Sequence, residues 1–201
     1  SIQYLGSYPF IGDIYLFNFS YIFTLFCVLL TTNAYNFIDG IDGLTSTQFL
    51  ISLFFIIFFV SLDNPEILFS KEINFIFSLV CLSIFFLILN MGFIKSKKIF
   101  LGDNGSILLG FIIGWLIIYI AYKEYIEPVY CIWIVCLPCL DLLRVFIQRL
   151  KLRKNPFRPD RLHIHFLLTE KKYSNKTILA ILSITSILFG FVGYFSLILG
   201  G

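Results

Sequence analysis

NFIDGIDGLTSTQFLISLFFIIFFVSL, residues 36–62, joins two Asp-Gly pairs to a long apolar run. From Leu44 to Leu62 the run carries no charge. About 20 apolar residues, at about 1.5 Å of helical rise each, cross the hydrocarbon core of a bilayer. The run therefore predicts a membrane-spanning helix. Asp39 and Asp42 stand directly before it, and each ionised carboxylate placed inside a bilayer costs roughly 2.5–3.5 kcal/mol on insertion scales. Two of them side by side point to a functional site at the membrane boundary.

The same reading extends outward to five more runs. The expected spans are Tyr15–Thr32, Leu44–Leu62, Ile73–Met91, Ser106–Tyr122, Pro128–Ile147 and Thr177–Leu199. Across 201 residues the chain is 59% hydrophobic and 13% charged, with 25 Phe, more apolar side chain than a soluble domain of this size can bury. The fold class is all-α, a polytopic membrane protein with about six transmembrane helices and one domain over residues 1–201. Residues 1–14, SIQYLGSYPFIGDI, read as the tail of a loop, with no secretory signal, so the chain is expected to begin mid-protein. Cys136 and Cys139 form a C-x-x-C, but within an apolar span and without a second pair; these and Cys27, Cys81 and Cys131 read as packing residues.

Charge sets the topology. Of the 15 Lys and Arg, all but Lys71, Lys123 and Arg144 fall in the segments after spans one, three and five. The positive-inside rule places those three segments in the cytoplasm. Every polar cluster of the chain falls on that same side.

The first cluster is NAYNFIDGIDG, where Asn33, Asn36, Asp39 and Asp42 recur every third residue. On a helix these would form one polar stripe about 13 Å long. The alternative is a solvated helix end followed by two turn-forming Asp-Gly steps. Carboxylates beside phosphate oxygens are a usual ligand set for Mg²⁺. The second cluster is KIFLGDNGS, residues 98–106, in which Gly102 and Gly105 flank Asp103 and Ser106 opens the next helix. It reads equally as an anion-binding turn at a helix N-terminus or as a plain cap. Phe100 on its own would be membrane packing.

The third cluster, RLKLRKNPFRPDRLHIH, residues 149–165, holds both histidines. Pro156 and Pro159 predict a shaped loop, and its Arg residues suit phosphate. A topology signal that also touches headgroups would explain the basic residues but not the two histidines. His163 and His165 would point apart on a helix and together on an extended segment. Asn90 closes span three, and Asp141 and Arg144, at i and i+3 in span five, read as a structural ion pair. No P-loop or dinucleotide fingerprint is present, nor a zinc-hydrolase motif.

Together NAYNFIDGIDGL, FLGDNGSILLGF and PFRPDRLHIH resemble, in order and spacing, the polyprenyl-phosphate N-acetylhexosamine-1-phosphate transferases. The third motif looks more like the WecA-type UDP-GlcNAc branch than the MraY-type muramoyl-pentapeptide branch. The resemblance implies a reaction on the cytoplasmic face of the bacterial inner membrane, with no nucleic acid involved. A lipid phosphate, undecaprenyl phosphate, would attack the β-phosphate of a UDP-N-acetylhexosamine and release UMP. It implies Mg²⁺, with Mn²⁺ as a substitute, and leaves room for a homodimer. By resemblance, Asn36, Asp39 and Asp42 line the nucleotide-sugar site with Asp42 near the uracil or ribose. Asp103 holds the metal, Phe100 stacks on uracil, and Asn90 lies near the nucleotide, with Asn33 and Gly102 counted in the same site. Arg158, Asp160, Arg161, His163 and His165 form the loop that grips diphosphate and sugar. The catalytic groups would be Asp39, Asp42, Asp103, His163 and His165.

Two departures stand out. The family's last motif ends in a further His where this chain has Phe166. Its paired-aspartate motif, on the cytoplasmic end of an earlier helix, has no counterpart, since Asp13 stands alone on the predicted outer side. The N-terminal third of such an enzyme is therefore expected to be absent. Competing readings are an inactive fragment of such a transferase and a transporter using intramembrane carboxylates. A transporter would spread its charges across the membrane depth instead of gathering them on one face.

Overall fold

The computed structural model describes all residues except 9–11, 64, 95–97, 154, 156–160 and 201. The chain opens with a hairpin, β1 (Tyr4–Tyr8) and β2 (Gly12–Tyr15), paired antiparallel. The long helices are α1 (Ser20–Ile38), α2 (Leu44–Asp63), α3 (Lys71–Asn90) and α4 (Gly102–Tyr122). The short α5 (Pro128–Cys131) leads through a 3₁₀ turn, Ile132–Val135, into α6 (Cys136–Lys151). A seven-residue α7 (Ile164–Glu170) and the long α8 (Asn175–Gly200) complete the bundle. Among the described residues, six helical stretches are long and apolar enough to cross a membrane, including Phe17–Ile38, Leu44–Leu62 and Pro128–Lys151. The chain is an all-α, multi-pass membrane protein.

The boundaries differ from the sequence reading in several places; span five, for one, runs on to Lys151 instead of ending at Ile147. The hairpin occupies a segment expected to be loop. Span one was expected to end at Thr32, but α1 runs on to Ile38 because Ala34, Tyr35 and Ile38 bury against the bundle while Asn33 and Asn36 stay helical. Span four begins at Gly102, four residues earlier than expected, since Gly102 itself takes the turn conformation (φ +67°) that starts the helix.

Helix contact follows small residues. On α4, a Cβ at Gly110 would lie 2.8 Å from the Thr31 carbonyl oxygen, and one at Gly114 would lie 2.4 Å from the Thr31 hydroxyl. Only glycine allows α1 and α4 to pack this closely, a small-xxx-small arrangement typical of membrane helices. The core beneath is built on Tyr35, Phe49, Phe55 and Phe59. Span five is interrupted where Pro138 has no N–H to give the Ile134 carbonyl. The Ser52 hydroxyl donates to that carbonyl instead, at 3.0 Å, and the Tyr35 hydroxyl lies 2.7 Å from Ser52 Oγ. A backbone group left orphaned in the bilayer is thus satisfied from a neighbouring helix. All five cysteines are free thiols, as expected of packing residues.

Candidate active site

The C-terminal ends of α1, α3 and α6 and the N-terminal ends of α4, α7 and α8 meet at one end of the bundle. The segments joining them carry the three polar clusters. What fastens them is apolar: Ile38 and Leu44, on either side of the Asp-Gly pairs, pack with Leu137, Ile178 and Leu182, and Ile41, Ile164 and Leu168 lean on that cluster. The first and third motifs are therefore stapled together by the isoleucines between their polar residues.

The four-residue polar stripe does not form. Helix α1 ends at Ile38; Asp39 has left helical geometry (ψ 61°), and Gly43 adopts φ +80°. The Asp-Gly steps make turns, so Asp39 and Asp42 come off the helix axis towards the other loops. Asn33 is exposed and returns its amide to the Leu29 carbonyl of its own helix at 2.7 Å. Asn36 instead accepts from the buried Ser106 hydroxyl at 2.8 Å, tying the first motif to the second.

Asn90 is the second tie. Its side-chain oxygen accepts from the Gly43 N–H at 2.6 Å and its amide donates to the Ile99 carbonyl at 2.8 Å. It is buried, so removing it strands a backbone donor as well as a carbonyl. Asn90→Ala is expected to cost about 1–3 kcal/mol of stability. Thermal melting in detergent measures this, and an unchanged midpoint would mean the tie carries no load.

Lys98 bridges the same two motifs at the surface. Its Nζ lies 2.7 Å from Asp42 Oδ2 and 5.1 Å from the centroid of the Phe100 ring. Both partners of the ion pair are well exposed, so it contributes at most about 1 kcal/mol. Phe100 is 74% exposed and belongs to no core cluster. Asp103 lies in the first turn of α4 and is exposed, with no cap hydrogen bond from its N-cap residue, Leu101. Asp39 is half-buried and accepts from the Thr45 hydroxyl at 2.8 Å. Burial raises its carboxyl above the ordinary range; the Thr45 bond opposes this, and the charges of Asp103 and Asp42 add to it. The three carboxylates therefore share one field.

The third motif folds over the first. Arg158 and Asp160 lie outside the described residues, and Arg161 is exposed. His163, extended at ψ 151°, is the N-cap of α7, and His165 sits in its first turn. Their rings are close to parallel, 6.2 Å apart, although only His163 is extended and His165 is helical. His163 also stacks on Phe37 at 5.2 Å. His165 packs on Gly40, where a Cβ would fall 1.9 Å from Nε2, so glycine is required for close approach and not for backbone freedom. Phe166 packs against His165, ring centroids 4.1 Å apart. The Asp141–Arg144 pair forms at 2.7 Å, as the sequence predicted. The sequence did not reveal that Asp141 also reaches His163 Nδ1 at 2.8 Å.

Burial, reinforced by the neighbouring His163, pushes the His165 imidazole down to about 4. An unfolded histidine titrates near about 6.5. Between these values the unfolded chain binds the extra proton, so stability is full above about pH 6.5 and declines as pH falls towards 4. His165→Gln is expected to flatten this acid limb in thermal melts, and an unchanged limb would contradict the assignment.

Among the described residues, no group of three His, Cys, Asp or Glu is close enough to hold a metal ion on its own. The exposed Asp103 carboxylate fits a hard cation that also takes oxygens from a bound phosphate.

The family model described as glycosyl transferase family 4 matches residues 1–121. The undecaprenyl-phosphate alpha-N-acetylglucosaminyl 1-phosphate transferase of Escherichia coli K12 is 30% identical over 178 residues, covering 87% of this chain and 47% of that protein. The protein of the same name from Salmonella typhi is 30% identical over 200 residues, 94% of this chain and 52% of that protein. That from Haemophilus influenzae is 31% identical over 121 residues, 58% of this chain and 34% of that protein. The chain spans about half the length of the first two of these relatives.

Proposed function

This chain belongs to glycosyl transferase family 4, and we propose that it serves transfer of a sugar-1-phosphate, GlcNAc-1-phosphate first, from a UDP-sugar to undecaprenyl phosphate. The observation that carries the reading is the convergence of all three motifs at one end of the bundle. They meet through Asn36–Ser106, Gly43–Asn90, Asp42–Lys98 and Gly40–His165. The Lys and Arg distribution supports a cytoplasmic placement of that end in a bacterial inner membrane. A transporter's carboxylates would be spread through the membrane depth, whereas Asp39, Asp42 and Asp103 sit at helix ends.

In this reading an oxygen of the lipid phosphate bonds to the β-phosphorus of the donor as the bond to the UMP oxygen breaks. Such a transfer is mostly positioning and charge neutralisation. Phe100 offers an exposed face for the uracil, and Asp42 lies beside it through Lys98. Asp39, Asn36 and the histidines His163 and His165 line the donor, and Arg161, Arg158 and Asp160 belong to the loop that closes on diphosphate and sugar. Asp103 would hold Mg²⁺, which when bound neutralises diphosphate charge.

Phe100→Ala is expected to weaken UDP-sugar binding by about 1–3 kcal/mol, the worth of a base–aromatic stack. Calorimetric titration of UDP measures it, and unchanged affinity removes Phe100 from the site. The reaction class is tested with donor labelled at the β-phosphate. The reading requires that label to enter the lipid with the sugar and UMP to appear in water. Release of labelled UDP would instead indicate plain glycosyl transfer.

A further inference from the structure

We propose that Asp141 is the positioning residue of the histidine loop: it fixes the proton of His163 on Nδ1, so that Nε2 is presented as a hydrogen-bond acceptor for a hydroxyl of the transferred sugar. The proposal rests on the transferase reading for its ligand, and on geometry alone for the tautomer.

Asp141 is 5% exposed on α6. A simple ion pair would need only Arg144. Yet Asp141 Oδ2 lies 2.8 Å from His163 Nδ1, and Oδ1 accepts the Ile164 N–H at 3.0 Å as well as the Arg144 guanidinium at 2.7 Å. Two of its three bonds thus go to the loop, 22 and 23 residues downstream. Arg144 completes the clamp by donating to the Leu162 carbonyl at 2.5 Å. One carboxylate and one guanidinium hold three consecutive residues, Leu162, His163 and Ile164.

A carboxylate only accepts, so His163 Nδ1 must donate. A neutral imidazole has one donor and one acceptor, which leaves a lone pair on Nε2. Turning the ring over would set Cδ2 against Asp141 Oδ2 and lose the 2.8 Å bond. His163 is 3% exposed, and among the described residues its Nε2 has no hydrogen-bond partner. Neither ring nitrogen of His165 has one. A buried polar atom without a partner is uncommon and is a mark of a ligand site. A neutral Nε2 lone pair repels a phosphate oxygen and attracts an O–H. That selects a sugar hydroxyl over the diphosphate as its partner.

The chain contains two histidines, so ¹⁵N-histidine labelling of the full chain in nanodiscs, with His165→Gln to assign the signals, reads the tautomer directly. Wild type is expected to show a protonated Nδ1 and a bare Nε2 at His163 at pH 8. A proton on Nε2 overturns the proposal without any variant. In Asp141→Asn the amide oxygen keeps Ile164 and Arg144, and its NH₂ faces His163, so the proton should move to Nε2. Arg144→Gln should leave the tautomer unchanged. Transfer by Asp141→Asn should fall about tenfold or more, as second-layer partners of histidine typically do, while a merely structural role would lower the melting point and leave the tautomer alone. Wild-type rate in Asp141→Asn also overturns the positioning role. A correct tautomer in a chain that transfers no sugar phosphate would count against the transferase reading and not against Asp141.

Discussion

Asp103→Asn is expected to lower sugar-phosphate transfer by about a hundredfold to a thousandfold, the usual cost of removing one preorganised electrostatic group from a reaction of this kind. The fold should survive. Asp103 is exposed in the first turn of α4, where a carboxylate favours the helix dipole by about 0.3–1 kcal/mol and little else. Asparagine keeps the shape and removes only the charge. The two effects are far enough apart to be separated in one preparation, by a melting curve and a transfer assay. The charge of Asp103 is also one cause of the raised Asp39 carboxyl, so the variant should ease Asp39 towards its ordinary range. A variant that transfers at wild-type rate would take the metal away from Asp103.

Gly40→Ala is expected to be the most damaging single methyl group in the site. The added Cβ would sit 1.9 Å from His165 Nε2 and 2.3 Å from Cδ2, so the ring has to leave. It has no free volume to enter, being 1% exposed and flanked by Phe166 and His163. Overpacking of this kind costs about 1–3 kcal/mol. The displaced imidazole also carries the third motif away from the first, so transfer should fall at least about a hundredfold, roughly 2.7 kcal/mol. The double variant Gly40→Ala, His165→Ala provides the control. With the ring gone the methyl fits, so stability should recover with a coupling of about 0.5–3 kcal/mol while activity does not. Additive losses would mean that the two residues do not meet.

Much of this was legible beforehand because the bilayer imposes a crude rule. A helix must supply about 20 apolar residues, and Leu44–Leu62 states that without ambiguity. Span one was harder: Asn33 and Asn36 look like loop, yet α1 carries both because the residues between them bury. The period of three from Asn33 to Asp42 was real but did not persist as one helix face. The glycines that made the pattern conspicuous are the ones that end the helix. The ion pair of Asp141 and Arg144 could be read from their spacing, but its connection to His163 could not, since 22 residues separate them and only the fold brings them to 2.8 Å. Gly40 could be seen as a turn residue; its role as the floor under His165 exists only in three dimensions. The interruption of span five at Pro138 went unread, because the run Pro128–Ile147 reads as one apolar span, and the hydroxyl that repairs it comes from Ser52 on another helix.

We propose the converging loops as the donor end of a metal-dependent sugar-phosphate transfer. The most direct measurement is transfer of label from UDP-GlcNAc into lipid by this chain in membranes containing undecaprenyl phosphate, with Mg²⁺ or with chelator, alongside the Asp103→Asn variant. Labelled lipid is expected with Mg²⁺, with none in chelator and at most about a hundredth as much with the variant. Labelled lipid that persists in chelator and in the variant would overturn the metal-dependent reading.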